Sequence, residues 1–130
     1  MQEIYDFLKK CKTYYLATVE NDSPRVRPFG TIELFDGKLC FQTGKIKEIS
    51  KQLSKNPKIE ICAFDGTRWL RLSASAEDDD RIEAKRHMLD AYPELKDRYS
   101  AEDGNTQIFR LKDGKATFST FGQEDKIIEF

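Results

Sequence analysis

The sequence predicts a mainly β fold with flanking α-helices, in which six or seven antiparallel strands close into a small barrel. Segments rich in aromatic and β-branched residues alternate with short turns, and three Asp-Gly pairs stand at hairpin positions, 36–37, 65–66 and 113–114. A length of 130 residues fits one domain with a real core, and fifteen aromatic residues argue against disorder. Closing the sheet would remove its exposed edges.

The first half of the chain predicts one helix and three strands. Residues 2–11 carry apolar side chains at helical spacing, which places them on one face: Ile4, Phe7, Leu8 and Cys11. The predicted strands are 13–20, 25–35 and 38–43, the second interrupted at Pro28 and Gly30. A helix over 46–56 follows and ends before Pro57.

The second half predicts a hairpin, a helix and a last hairpin. Strands 58–64 and 68–77 are joined by a turn, and a helix follows over 78–92, where Asp80 and Glu83 have capping-box spacing. A short helical turn is expected after Pro93. Residues 106–121 are predicted to be a hairpin around Asp113-Gly114, and the tail from 122 has no assignment.

Composition excludes several classes of function. A net charge of −1 gives no general attraction to nucleic acid or to anionic membranes. The three cysteines lack metal-site spacing and are an odd number, which indicates reduced thiols in a cytoplasmic protein. No signal segment or membrane span is expected, and residues 1–130 are taken as one domain.

Catalytic motifs are missing, and His87 is the single histidine. It lies in the predicted helix, four residues after Glu83 and three before Asp90, so a solvated charge pair is favoured over catalysis or metal ligation.

The segment from Gln42 to Lys51 predicts an anion site. A strand ends at Thr43 and Gly44, and a helix follows with Lys47 in its first turn, where free N–H groups and the helix dipole attract anions. The alternative is a solvated lysine face with Thr43 as an ordinary cap.

Two arginines form a second positive element. Arg25 and Arg27 are two residues apart in a predicted strand, so both project from the same face. Pro28 leaves a gap in the strand's hydrogen bonding, through which a flat ligand could approach the backbone. The alternative is that both arginines are merely solvated.

Trp69 and Arg71 share one face of a predicted strand, with Leu70 and Leu72 on the other. Trp69 could pack against an aromatic cofactor, although a core or interface position is the simpler interpretation.

With these elements in order, the sequence resembles the FMN-binding split-barrel family related to pyridoxamine 5'-phosphate oxidase, in the small branch of nitroimidazole-resistance reductases. The matching segments are YYLATVENDSPRVRPFG, GKLCFQTGKIKEISKQLSKNPKIEI and WLRL. The resemblance implies a six-stranded antiparallel split β-barrel and a homodimer with two FMN molecules at its interface.

The resemblance also implies cofactor-binding residues. Arg25 takes the position of a phosphate-binding arginine, the ring runs along Val26, Arg27, Pro28 and Phe29, and Gln42 and Thr43 touch ring and phosphate. Glu48 and Ile49 stand where the family has an Arg-Lys pair, so Lys47 or Lys51 would replace it, and Gly30 stands where the oxidase has a lysine. Trp69 and Arg71 would complete the pocket.

The function implied is an FMN-dependent oxidoreductase that reduces a small molecule, with NAD(P)H as a candidate electron donor and no assigned catalytic residue. The oxidase's C-terminal segment for pyridoxal phosphate is not found before Phe130, so pyridoxamine phosphate oxidation itself is not expected. Three alternatives stay open: a non-catalytic flavin carrier or sensor, a haem protein of the same fold with His87 as its single candidate histidine ligand, and a plain interaction module.

Overall fold

A computed structural model describes all residues from 1 to 130, and nearly half of them lie in one β-sheet. Eight strands are formed: β1 (Tyr14–Glu20), β2 (Ser23–Phe29), β3 (Glu33–Phe35), β4 (Lys38–Gly44), β5 (Lys58–Phe64), β6 (Arg68–Asp78), β7 (Thr106–Thr120) and β8 (Lys126–Glu129). Three α-helices flank them: α1 (Gln2–Cys11), α2 (Glu48–Lys55) and α3 (Ile82–Ala91). A 3₁₀ turn over Pro93–Asp97 follows α3.

All strands belong to one antiparallel sheet in the order β2-β1-β5-β6-β7-β4-β3, with β8 paired to β7. The two outermost strands, β2 and β3, are consecutive in the chain. Four residue steps separate Phe29 from Glu33, so the two edges lie within roughly 14 Å of each other at that point. The sheet therefore curls back on itself and stays open between β2 and β3, which confirms the predicted split-barrel class.

Residue Thr31 bridges this opening. The Tyr14 hydroxyl of β1 donates to the Thr31 carbonyl at 2.6 Å, and the Gln42 backbone N–H of β4 donates to the Thr31 hydroxyl at 3.0 Å. Ile32 is held by Tyr92, whose hydroxyl donates to the Ile32 carbonyl and accepts from its N–H. Both polar backbone groups of Ile32 are thus satisfied without a neighbouring strand.

The main core fills the inside of the curled sheet. It is built from alternate residues of the strands, such as Leu16, Ile61, Leu70 and Leu72, all fully buried. The apolar faces of α1 and α2 close it, and their buried residues are Ile4, Phe7, Leu8, Ile49 and Leu53. None of the helices is long and apolar enough to cross a membrane.

The predicted strand 25–35 is wrong as one element, because β2 ends at Phe29 and β3 begins at Glu33. Residues Thr31 and Ile32 instead turn inward and are buried. The predicted helix 46–56 is also too long at its start. Helix α2 begins at Glu48, and Lys47 is its N-cap residue in extended conformation rather than part of its first turn.

The predicted last hairpin is wrong. Residues 106–120 form the single strand β7, and Asp113-Gly114 is a bulge within it, opposite the register shift between Ser73 and Ser75 of β6. Asp113 has a φ of 54°, a conformation that serves a bulge as well as a turn. Gly114 exchanges two backbone hydrogen bonds of 3.0 Å with Phe130, so the unassigned tail becomes β8 and pairs with β7.

The predicted capping box is wrong as well. Helix α3 begins at Ile82 with Arg81 as N-cap, and no side chain caps it. Asp80 binds Lys85 at 3.0 Å instead. The buried Asp79 accepts from Nε and Nη2 of Arg81, each at 2.8 Å. The two acids therefore form ion pairs that fix the start of the helix.

Candidate functional site

A cavity of about 320 Å³ lies between the end of β2, the end of β4 and the start of α2. Six of the residues predicted to bind a cofactor line it together: Arg27, Pro28, Phe29, Gln42, Thr43 and Lys47. Glu48, Ile49 and Tyr99 complete the wall. Arg27 of β2 and Lys47, the N-cap residue of α2, are 20 residues apart in sequence but line the same cavity.

Arg27 contributes a half-buried positive charge that has no carboxylate partner. Its Nη1 donates to the Leu16 carbonyl at 3.1 Å and to the Thr18 hydroxyl at 2.8 Å, and its Nη2 donates to Gln52 Oε1 at 2.7 Å. All three acceptors are neutral. Burial lowers the pKa of the Arg27 guanidinium, because desolvation disfavours its charged form. An anion in the cavity would compensate this charge.

The start of α2 adds a second positive element. Lys47 is exposed and forms no ion pair within 4.0 Å, and no side chain caps the helix at this end. The Ser50 N–H donates to the carbonyl of the N-cap residue Lys47 at 3.1 Å. The N–H groups of Glu48 and Ile49 have no partner within the helix and carry the positive end of its dipole. The cavity therefore combines Arg27, Lys47 and a helix N-terminus, an arrangement suited to phosphate.

Gln42 and Thr43 lie on the cavity wall and are both buried. The Gln42 side-chain amide donates to the Thr43 carbonyl at 3.0 Å, which fixes the amide against the backbone. Two neighbouring residues of one strand can both be buried here because α3 covers the outer face of β4, where Cys40 packs on Met88.

Tyr99 and Asn105 are parts of the site region that the sequence did not reveal. The space above Gly44 is filled by these two residues, because a Cβ there would lie 3.0 Å from Asn105 Nδ2 and 3.2 Å from Tyr99 Cε1. Asn105 Oδ1 also accepts from the Ile46 N–H at 3.2 Å and so holds the loop before α2. Neither residue belongs to a periodic segment, so only a long-range contact could have identified them.

Arg25 and Val26 lie outside the cavity. Arg25 projects from the same face as Arg27, as predicted, but its Nη2 binds Glu20 Oε1 at 3.0 Å and its Nε binds the same oxygen at 3.1 Å. Val26 is on the opposite face and 67% exposed. The resemblance implied Arg25 as the phosphate-binding arginine, but Arg27 is the one of the two that faces the cavity.

Lys51 also lies outside this cavity. It binds Glu48 at 3.2 Å and lines a neighbouring polar depression of about 410 Å³ together with Glu20, Gln52 and Lys55. Its charge is therefore partly neutralised, whereas that of Lys47 is not.

Trp69 and Arg71 lie on the outer face of the sheet, three places along from β2 in the strand order. Leu70 and Leu72 point into the core, as the alternation predicted. Trp69 packs against Phe121, with ring centroids 5.2 Å apart, and pairs with Phe64. Within one chain neither Trp69 nor Arg71 reaches the cavity.

This outer face is unusually apolar. Its exposed large side chains are Tyr15, Val26, Phe64 and Phe121, and they are 52–87% exposed. Tyr15 pairs with the exposed Cys62, and Val26 pairs with Ala17. Several exposed apolar side chains on one face of a sheet are typical of a protein–protein interface.

His87 is not part of the cavity. The predicted pairing with Glu83 or Asp90 in its own helix is wrong, because His87 Nε2 lies 3.3 Å from Glu33 Oε1 on β3 and its ring packs on Phe35. No group of three histidine, cysteine or acidic residues could hold a metal ion. The three cysteines are free, and burial raises the pKa of the Cys40 thiol to about 11.

Comparisons with known proteins identify similar sequences and similar folds. The sequence model described as "Pyridoxamine 5'-phosphate oxidase" matches residues 1–119. A crystal structure of a NimC/NimA family protein from Clostridium acetobutylicum is 38% identical, with a TM-score of 0.96 over 100% of this chain and 92% of that one. General stress protein 26 from Bacillus anthracis has a TM-score of 0.79 at 16% identity, covering 99% and 97% of the two chains, which shows the fold alone. A search of curated proteins gave no match.

Proposed function

Because the chain belongs to the pyridoxamine 5'-phosphate oxidase family and is related to its NimC/NimA members, we propose that it is an FMN-binding oxidoreductase acting on a small molecule. The family commonly binds flavin, and its members are typically dimers. For this chain we propose that the flavin is FMN, that it lies in the cavity described above, and that the protein acts as a reductase.

The main support for this proposal comes from the surroundings of Arg27. A half-buried guanidinium held by three neutral acceptors, at the wall of a cavity that also receives Lys47 and the start of α2, is suited to a phosphate monoester. FMN differs from riboflavin by such a group. The donor set therefore fits FMN better than an uncharged flavin.

In this arrangement Arg27, Lys47 and the first-turn N–H groups of α2 bind the phosphate, with the Thr43 hydroxyl beside them. Pro28, Phe29 and Gln42 lie along the ring. Tyr99 also lines the cavity and lies beside Gly44. Arg25 and Lys51 contribute little to phosphate binding, since each is paired with a glutamate.

The size of the cavity supports a site shared between two chains. About 320 Å³ is at the lower end of the range for ligand sites, roughly 300–1,000 Å³, so one chain alone would leave the ring partly exposed. We propose that a second copy covers it with its apolar outer face. In that dimer Trp69 and Arg71 of one protomer, with Val26 nearby, would complete the cavity of its partner.

Bound flavin supplies hydride and electron transfer. The chain's own residues bind the cofactor, orient it and exclude water. The cavity wall holds no histidine, cysteine or aspartate, and its single acid, Glu48, is paired with Lys51. The proposed activity is a hydride or electron transfer with NAD(P)H as donor.

A haem in this cavity would find no histidine of this chain, because His87 is on α3 and bound to Glu33. Nothing in the geometry favours that alternative. Three free thiols suit the reducing cytoplasm, where we place the protein.

The experiment has two stages. Purified protein is titrated with FMN, riboflavin and haem, and FMN is expected to bind with the highest affinity and a stoichiometry of one per chain. Flavin-loaded protein is then assayed for NAD(P)H oxidation with nitroaromatic and quinone acceptors. Turnover supports the oxidoreductase, whereas tight FMN binding without turnover for any acceptor would leave a flavin carrier or sensor.

A further inference from the structure

The two arginines of β2 have opposite electrostatic surroundings. Arg25 is neutralised by Glu20, while Arg27, two residues further along the same face, has no acid partner. Arg27 reaches Gln52 of α2, and Gln52 also contacts Glu20, the partner of Arg25. If the Glu20 carboxylate paired with Arg27 instead of Arg25, it would neutralise the charge that faces the cavity.

Gln52 of α2 occupies the position between them. Its side chain is buried, with 5% of the residue exposed. Its Oε1 accepts from Arg27 Nη2 at 2.7 Å and from the Thr18 hydroxyl. Its Nε2 donates to the Glu20 carboxylate at 3.4 Å. The amide thus has its acceptor toward the arginine and its donor toward the acid.

We propose that Gln52 is a positioning residue, which holds Arg27 toward the cavity with a neutral acceptor and separates it from Glu20, so that the charge of Arg27 stays available to the phosphate of the cofactor. This inference rests on the proposed FMN site and adds a determinant outside the cavity wall. Thr18 is 2% exposed and provides a second contact for Arg27, because its hydroxyl accepts from Arg27 Nη1.

The reason is the chemistry of the amide. An amide can accept from a guanidinium without cancelling its charge, whereas a carboxylate in the same place would form a charge-assisted pair and compete with the phosphate. Gln52 also lies on the helix whose N-terminus faces the cavity. The contact therefore fixes the arginine relative to the second phosphate-binding element.

The test uses Gln52→Glu, which keeps the size of the side chain and adds a charge, and Gln52→Met, which has similar length and no hydrogen-bonding amide. Dissociation constants for FMN and riboflavin are measured by flavin fluorescence, with thermal unfolding as a check of the fold. We expect Gln52→Glu to weaken FMN binding at least about tenfold, the size of one charge-assisted contact. Riboflavin, which has no phosphate, should bind Gln52→Glu as it binds the wild type.

Gln52→Met should weaken FMN binding less, by a few-fold, because Glu20 is then free to pair with Arg27. Adding Glu20→Gln to Gln52→Met should restore the affinity, which a merely structural role of Gln52 does not predict. If Gln52→Glu does not fold, the comparison of Gln52→Met with the Gln52→Met, Glu20→Gln double variant still tests the role of Gln52.

Two results would overturn the inference: unchanged FMN affinity in the folded variants, or equal losses for FMN and riboflavin. The wild-type titration distinguishes a failure of this inference from a failure of the proposed function. If the wild type binds no FMN, the FMN site itself is wrong, whereas normal wild-type binding with an unaffected Gln52 variant removes only the role of Gln52.

Discussion

Replacing Arg27 with alanine removes the half-buried guanidinium from the cavity wall. The substitution deletes three hydrogen bonds to neutral acceptors, Leu16 O, Thr18 Oγ1 and Gln52 Oε1. It also removes a charge whose pKa is already lowered by desolvation. The effects on the fold and on the ligand should therefore differ in size.

The effect on FMN binding should be the larger one. A hydrogen bond to a charged group contributes about 1.5–3 kcal/mol, which corresponds to a loss of roughly 10- to 150-fold in affinity. The effect on the free energy of unfolding should be about 1 kcal/mol, because water in the cavity can reach the freed acceptors and the desolvation of a charge is relieved.

The assay is a flavin fluorescence titration with FMN and riboflavin, beside urea unfolding of each variant. Arg25→Ala is the matched control, since Arg25 shares the strand face but is paired with Glu20 outside the cavity. The control should keep its FMN affinity. A larger loss in Arg25→Ala than in Arg27→Ala, or a loss for riboflavin equal to that for FMN, would refute the assignment of Arg27 to the phosphate.

Three further predictions concern the fold and the dimer. The arginine beside Asp79 lowers the pKa of this buried carboxyl, so its stabilising contribution is present above the unfolded pKa of about 3.9 and is lost as pH falls through the lower folded pKa. Asp79→Asn should lower the free energy of unfolding at pH 7 by roughly 1–3 kcal/mol and flatten its acid dependence in urea titrations from pH 7 to 2; an unchanged slope would contradict this. Gly114→Ala should cost roughly 1–3 kcal/mol, because its Cβ would overlap the Phe130 ring, and almost nothing in a Phe130→Ala background; equal costs in both backgrounds by urea unfolding would exclude this contact as the cause. Phe64→Glu places a charge on the exposed apolar face and should convert a dimer to a monomer in light scattering, while a persistent dimer would move the interface elsewhere.

Elements fixed by local patterns could be predicted from the sequence. The helix over residues 2–11 and the strand over 58–64 have the predicted bounds, because their apolar periodicity is regular and turn or breaker residues limit them. The break at residues 30–32 depends on Tyr92, 60 residues later. The bulge at Asp113 depends on Phe130, because an Asp-Gly pair supports a turn or a bulge equally well.

The candidate site likewise combines residues that local patterns identify with residues that only long-range contacts bring together. Thr43, Lys47 and the arginine pair could be identified from residue type and spacing. The choice between Arg25 and Arg27 could not, because alternation places both on one face and only the folded chain brings Glu20 to one and Gln52 to the other. Tyr99 was missed because its segment has no pattern that relates it to β4.

The central claim is that this fold holds FMN by its phosphate at Arg27, Lys47 and the start of α2. The most direct measurement is a crystal structure of the protein with FMN, interpreted for the contacts of the phosphate group. We expect phosphate oxygens within hydrogen-bonding distance of Arg27 and of the first-turn N–H groups of α2. A flavin whose phosphate binds elsewhere, with Arg27 still held only by its neutral acceptors, would contradict it.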